Sequence, residues 1–207
     1  CFSMHASKLI NAFEGGYVTT NNARLAEDLR KMRSFGFKGK DNVVHLGLNA
    51  KLNEIHAAAA LANLDNLEKQ ILRNKECYYT YKNALKDLPG IELVPFNEEE
   101  ICSYKNILIH LTPEWPFPRD LTVVVLNAEN ILARAYYSPP LHQKKTHYKT
   151  IIPPLPQTEA LAKKYILMPC GDFVYPQDIE TVCAFLHYIK NNPEYIQHTL
   201  KKMNTHV

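Results

Sequence analysis

A chain of 207 residues, 46% apolar and 22% charged, has the balance of a globular protein and room for one large domain or two small ones. Its net charge of +3 is too small, and its Lys and Arg residues too dispersed, to mark a nucleic-acid-binding surface. No apolar run approaches a membrane span and no signal-peptide pattern opens the chain; five cysteines without a C-x-x-C spacing argue against a disulfide framework and a zinc site, so reduced thiols, a cytoplasmic protein and no metal are expected.

In chain order, residues 2–5 and 16–20 read as short strands around a polar loop, the second rich in β-favouring Tyr, Val and Thr. Asn21-Asn22 looks like a helix start, and Leu25, Leu29 and Met32 recur at helical spacing up to Arg33. Residues 35–47, with three glycines, read as loop. A long helical pattern covers residues 53–88 through the run Ala57-Ala58-Ala59-Ala60, with a break expected near Asp65-Asn66 and a stop at Pro89-Gly90. Strands are expected at 91–94, 106–112, 132–137 and 166–168. Helices are expected at 119–130, 158–165 and 177–190, with a last basic helix after Pro193. Strands interleaved with helices indicate a layered α/β or α+β fold.

The chemically informative stretch is Ser3-Met4-His5-Ala6-Ser7-Lys8, followed by Phe13-Glu14-Gly15-Gly16-Tyr17-Val18-Thr19-Thr20-Asn21. A lysine held just after a strand, in a polar and glycine-flanked turn, can be desolvated and rigid, and its neutral amine then attacks a carbonyl to form a Schiff base. Pyridoxal phosphate (PLP) is the usual partner of such a lysine. Position alone does not decide this, because most lysines are solvated surface groups.

The pattern Ser-x-His-x-Ser-Lys, then Glu-Gly-Gly and Val-Thr-Thr-Asn, resembles the PLP-dependent sugar aminotransferases of the DegT/DnrJ/EryC1/StrS family. Two further blocks agree and come in the family's order. Residues 46–58, Leu-Gly-Leu-Asn-Ala-Lys-Leu-Asn-Glu-Ile-His-Ala-Ala, look like its Gly-x-Asn-x-Arg/Lys segment and the alanine-rich helix after it. Residues 134–142, Arg-Ala-Tyr-Tyr-Ser-Pro-Pro-Leu-His, look like its Tyr-x-Pro-x-x-His segment. The resemblance covers essentially the whole chain but only about the second half of a family member. Met4 for an aromatic, Ser7 for Thr and Tyr17 for a small residue are the mild departures.

The resemblance implies an α/β PLP-dependent transferase type I fold, with residues 1–65 the end of the large domain and residues 66–207 the small C-terminal domain. It implies that Lys8 is the catalytic Schiff-base lysine and proton shuttle. Ser3 would bond the PLP phosphate, and Asn49 the phosphate of the neighbouring subunit in a homodimer with shared sites. His142, with Tyr136 or Tyr137, would lie near the sugar. The implied reaction takes an amino group from an amino acid, glutamate, to a nucleotide-linked keto-deoxysugar in surface polysaccharide or related sugar biosynthesis. Without the resemblance, Ser3 could cap a turn, Asn49 could be a turn residue beside Gly47, and His142 could be a plain loop histidine. His5 reads as a residue that orients the loop, and His56 as packed structure.

In the family, the acid that holds the pyridinium proton, the ring-stacking side chain and the main phosphate donors precede the lysine. The chain opens on Cys1 without an initiator Met, inside a strand-like segment, so further sequence upstream is expected, and residues 1–207 alone are expected to be inactive. A sugar-dehydrating branch, in which histidine replaces the lysine, is disfavoured by Lys8. The remaining alternative is a non-catalytic truncated paralogue acting as a subunit-interaction module.

Overall fold

In a computed structural model, residues 1–148 and 152–204 are described, and they divide into two compact units, Cys1–Gln70 and Ile71–Val207. None of the described helices is long and apolar enough to cross a membrane.

The first unit opens with β1 (Phe2–Ser3) paired antiparallel to β2 (Gly16–Tyr17), Phe2 opposite Tyr17 and Ser3 opposite Gly16. Both strands are shorter than their β-favouring composition predicts, because their pairing stops where the chain enters the turn bearing Lys8. Helix α1 (Ala23–Met32) begins where the Asn22 side chain accepts the Leu25 N–H at 3.1 Å, satisfying one of the donors a helix start leaves unpaired. Residues 35–47 are not plain loop. They fold into a small hairpin, β3 (Phe37–Lys38) against β4 (Asn42–Val43), pinned back to α1 by the Asp28–His45 contact at 3.1 Å. Such two-residue strands carry too little periodicity to be read in advance. Helix α2 (Glu54–Asp65) is capped by Asn53, which accepts the His56 N–H at 2.9 Å. The long helical pattern breaks at Asn66, whose side chain turns back to the Ala62 carbonyl, and α3 (Leu67–Ala84) follows.

The buried core of this unit is small: Met4, Ala12 and Ala60, with Leu52 packed against them. Much apolar surface stays in water, with Leu46 91%, Ile55 76% and Leu61 63% exposed.

The second unit is built on a four-stranded sheet of order β5 (Ile91–Leu93), β6 (Ile107–Leu111), β8 (Tyr165–Met168), β7 (Arg134–Ala135), every pair antiparallel. The two-residue period of β6 sends Ile107, Ile109 and Leu111 into the core. There they meet Tyr78 and Tyr81 of α3, Leu126 of α4 (Arg119–Ala128), and Ile179, Leu186 and Ile189 of α6 (Pro176–Asn191). Each such aliphatic side chain, fully buried, contributes roughly 1.5–3 kcal/mol. Two polar groups are buried with partners: the Trp115 indole N–H donates to Thr122 Oγ1 at 2.9 Å, and the Arg119 guanidinium donates to the Tyr165 carbonyl at 3.2 Å.

Two elements differ from expectation. The strand expected at 132–137 shrinks to β7, because only Arg134 and Ala135 find partners on β8 and Pro139 and Pro140 cannot continue a ladder. The helix expected at 158–165 is α5 (Pro156–Leu161). Tyr165 leaves it to open β8, where alternate residues face the core. The chain ends in α7 (Pro193–Asn204).

Candidate active site

The Lys8 turn is built almost wholly from its own backbone. Met4 N–H donates to the Gly15 carbonyl at 2.9 Å, Ala6 N–H to Phe13 at 2.8 Å, Ala12 N–H to Met4 at 2.8 Å and Lys8 N–H to His5 at 2.8 Å. Gly15 sits at φ +136°, where a side chain would be strained and its Cβ would come within 2.8 Å of Leu52 Cδ1. Alternation along β1 turns Phe2 toward Tyr17, with the rings stacked at 4.7 Å. Met4 is buried, and Ser3 and Lys8 are left exposed. Tyr17, a departure from the family pattern, is thus occupied by Phe2.

His5 fixes the turn. Its Nδ1 accepts the Ser7 backbone N–H at 3.1 Å and lies 2.9 Å from Ser7 Oγ, while Nε2 faces Glu14 at 3.8 Å. With Nδ1 accepting a backbone proton, the neutral ring carries its own on Nε2, toward the carboxylate. His5 therefore works as the loop-orienting residue its sequence position indicates.

Ser3 Oγ accepts the His5 N–H at 3.2 Å, which leaves its own O–H free to donate. The Lys8 amine enters no hydrogen bond or ion pair with the described residues. The burial expected of a reactive lysine is missing within the first unit, where Lys8 is exposed. Its sequence surroundings make the turn rigid without making it dry.

Asn49 lies on a second loop. It forms an isolated antiparallel bridge with Ser34, held by Phe35 N–H to the Leu48 carbonyl at 3.1 Å and Ala50 N–H to Arg33 at 2.9 Å. Its side chain is exposed, and beside it Lys51 rests over the Phe35 ring at 4.3 Å. Leu48 and Ala50, themselves exposed, join Phe2 and Met4 in lining an open apolar hollow of about 660 Å³ beside the β1–β2 pair, α1 and this loop. Ser3, Lys8 and Asn49 do not line that hollow.

Tyr137 and His142 belong to the second unit. Tyr137 is 62% exposed and stacks on Tyr136 with ring centroids 4.3 Å apart. Burial, and then the contact with Tyr137, raises the pKa of the Tyr136 hydroxyl. His142 lies on a single 3-10 turn (Leu141–Gln143), and its Nε2 is 3.2 Å from Glu159 Oε1 on α5. That contact with His142 is the main reason the Glu159 carboxyl is held below its ordinary range. Sequence reading missed Glu159, because nothing local links it to a histidine 17 residues earlier.

Mixed helix and sheet of this arrangement is the fold of the type I PLP-dependent sugar aminotransferases, seen over about half of their chains. The chain belongs to the DegT/DnrJ/EryC1/StrS aminotransferase family, whose model matches residues 1–187. DesI, solved in the presence of its TDP-sugar product, aligns with a TM-score of 0.84 and 32% identity over 97% of this chain and 51% of its own. The Helicobacter pylori aminotransferase PseC, involved in the biosynthesis of pseudoaminic acid, aligns with a TM-score of 0.78 and 27% identity over 89% of this chain and 51% of its own. Among curated relatives, the dTDP-4-amino-4,6-dideoxy-D-glucose transaminase of Escherichia coli is 30% identical over 171 residues, 81% of this chain and 46% of the relative. The chain thus spans about half the length of the relatives it matches.

Proposed function

We propose that this chain is the Lys8-bearing part of a cytoplasmic PLP-dependent aminotransferase that moves an amino group from glutamate to a nucleotide-linked keto-deoxysugar. The surface-polysaccharide or related sugar pathways named above are its setting. The observation that carries this reading is the Lys8 turn: an uncommitted amine on a backbone-locked loop, five residues after a serine whose hydroxyl proton is free. An amine and a hydroxyl donor are the groups an aldehyde-bearing phosphate ester requires, so the donor set fits PLP. The family membership and the sugar-transaminase relatives support the substrate class.

In this reading, residues 1–65 complete a large cofactor-binding domain and residues 66–207 form the small domain. Bound PLP supplies an electron sink for the carbon that loses a proton. Lys8 would hold the cofactor through Nζ, and its amine would be the group that takes up and returns that proton. Ser3 donates its hydroxyl proton to a phosphate oxygen, and the Asn49 amide reaches the phosphate of the neighbouring subunit in a homodimer. His142, steadied by Glu159, and Tyr137 contact the sugar. Removing the proton alone does not suffice, since the acid that holds the ring nitrogen's proton precedes the lysine in the family.

The test uses the longest natural form of the enzyme. After incubation with PLP and borohydride reduction, peptide mapping should place the pyridoxyl group on Lys8. Lys8→Ala should lose both that label and amine transfer. A label spread over surface lysines, or one retained in Lys8→Ala, would sink the assignment.

A further inference from the structure

The connection between the paired strands β7 and β8 is bridged by one side-chain contact, His142 to Glu159. Beyond β7 and the two prolines, the 3-10 turn is closed by Gln143 N–H to the Pro140 carbonyl at 2.9 Å and Lys144 N–H to the Leu141 carbonyl at 3.2 Å, which fixes the backbone under His142. At the far end of the connection, Lys164 N–H donates to the Leu161 carbonyl and the Lys164 carbonyl accepts the Leu111 N–H, both at 3.0 Å, so the end of α5 is tied to β6. His142 Nε2 and Glu159 Oε1 meet at 3.2 Å between these two supports. The His142 side chain is 12% exposed and that of Glu159 38%.

The polarity of this contact follows from the acid. A partly exposed carboxyl is ionised near neutral pH, and the contact with His142 favours that form further. A carboxylate only accepts, so the shared hydrogen sits on His142 Nε2. In the neutral ring one nitrogen carries the proton and the other a lone pair, which leaves Nδ1 as the acceptor. Among the described residues Nδ1 has no hydrogen-bond partner. Those residues leave one buried side-chain nitrogen or oxygen unpaired, Arg73 Nε, so Nδ1, unpaired too, is not sealed in. A keto oxygen or a deoxy carbon brings no proton to such an edge; a hydroxyl does.

We propose that Glu159 is a positioning residue: it holds His142 in the Nε2–H form, so that Nδ1 accepts a hydrogen bond from a hydroxyl of the nucleotide-linked sugar. This role rests on the reading of His142 as a sugar contact, and adds what the histidine recognises there. Glu159 itself does not touch the sugar; its charge sets which ring nitrogen meets the ligand. A site built to pair with a hydroxyl rejects the analogue that lacks it, because its own polar atom is then left unpaired out of water. His142 thereby selects a sugar that keeps the hydroxyl and takes no hold of the keto oxygen.

The test has a spectroscopic and a kinetic arm. In the 207-residue chain with nitrogen-15 histidine, in mildly alkaline buffer, the His142 signals are assigned by their loss in His142→Asn. They should show a protonated Nε2 and an unprotonated Nδ1. Glu159→Gln, whose amide donates as well as accepts, should mix the two forms. The wild-type spectrum decides even if the variant folds poorly. The kinetic arm uses the longest natural form, once the Lys8 label is in place, so that failure of the enzyme reading and failure of this role stay distinct. Glu159→Gln should raise KM for the nucleotide sugar about three- to tenfold without raising that for the amino donor. Added to His142→Ala, it should cost nothing further, since it acts through His142. A protonated Nδ1 in the wild type, one unmixed form in Glu159→Gln, a sugar KM that does not move, or additive effects of the two substitutions would each overturn the proposal.

Discussion

Gly36 and Gly47 cross at the base of the Asn49 loop so closely that neither has space for a side chain. A Cβ on Gly47 would lie 2.1 Å from the Gly36 nitrogen and 2.4 Å from the Phe35 carbonyl carbon. A Cβ on Gly36, at φ +78°, would lie 1.8 Å from the His45 carbonyl oxygen. All of these neighbours are backbone, which cannot swing aside as a flexible side chain can.

Gly47→Ala should therefore push the hairpin and the Asn49 strand apart, at a cost of about 1–3 kcal/mol. Gly39, at φ +79° with nothing within 4 Å of a built Cβ, supplies the control. Gly39→Ala should lose only about 1–2 kcal/mol of backbone preference, with no change in the neighbouring segments. Amide shifts at Ser34 and Asn49 distinguish the two variants; unchanged shifts in Gly47→Ala would show that the crossing does not position Asn49.

The His142–Glu159 contact should give stability a dependence on pH. The Glu159 carboxyl is held below its ordinary value of 4.5, first by His142. A carboxylate with a lowered folded pKa stabilises above its unfolded pKa, and that contribution disappears as pH falls through the folded one. Wild type should thus melt above Glu159→Gln at neutral pH, with the gap closing below about pH 4.5. A gap that stays constant from neutral to acid would mean that the charge on Glu159 does nothing for the fold.

These two sites show what a sequence can and cannot carry. The Lys8 turn was legible because its determinants are local: Ser3, His5 and Ser7 bond to one another, and Gly15 closes the turn by accepting the Met4 N–H. The break at Asn66 was legible for the same reason, since its side chain competes with the helix at Ala62. Glu159 was not, because folding brings it to His142 from a position 17 residues away. Lys8 exposure reverses a local expectation: a polar, glycine-flanked turn fixes geometry, but burial must come from surfaces that a motif does not describe.

The two units should differ in how firmly they hold their amides. In the second unit Ile107, Ile109, Leu126, Ile166 and Leu186 are fully buried around a four-stranded sheet; in the first the core is Met4, Ala12 and Ala60. Few buried apolar contacts mean cheap local opening. In hydrogen exchange on the 207-residue chain, β6 and α6 should stay protected long after β1, β2 and the 35–47 hairpin have exchanged. Equal protection in both units would contradict the packing argument.

The last prediction is that the 207-residue chain does not by itself transfer amines. Lys8 supplies a nucleophile, Ser3 a hydroxyl donor and Asn49 an amide, yet all three are exposed to water in the first unit. In water a phosphate is weakly held, so no tight cofactor site results. Around the Lys8 turn, Glu14 faces His5 at 3.8 Å rather than being set apart to hold a ring-nitrogen proton. The apolar residues left in solvent, Leu46, Leu48, Ile55 and Leu61, form the kind of surface that closes against other protein. In the proposed enzyme that closing dries Lys8. Purified residues 1–207, given PLP, glutamate and a nucleotide-linked ketosugar, should show no transfer above the Lys8→Ala background. Adding a separately produced segment that holds the missing acid and phosphate donors should restore turnover. Transfer by residues 1–207 alone at a rate matching such a complex would mean that the described residues complete the site in a way their exposed positions do not reveal.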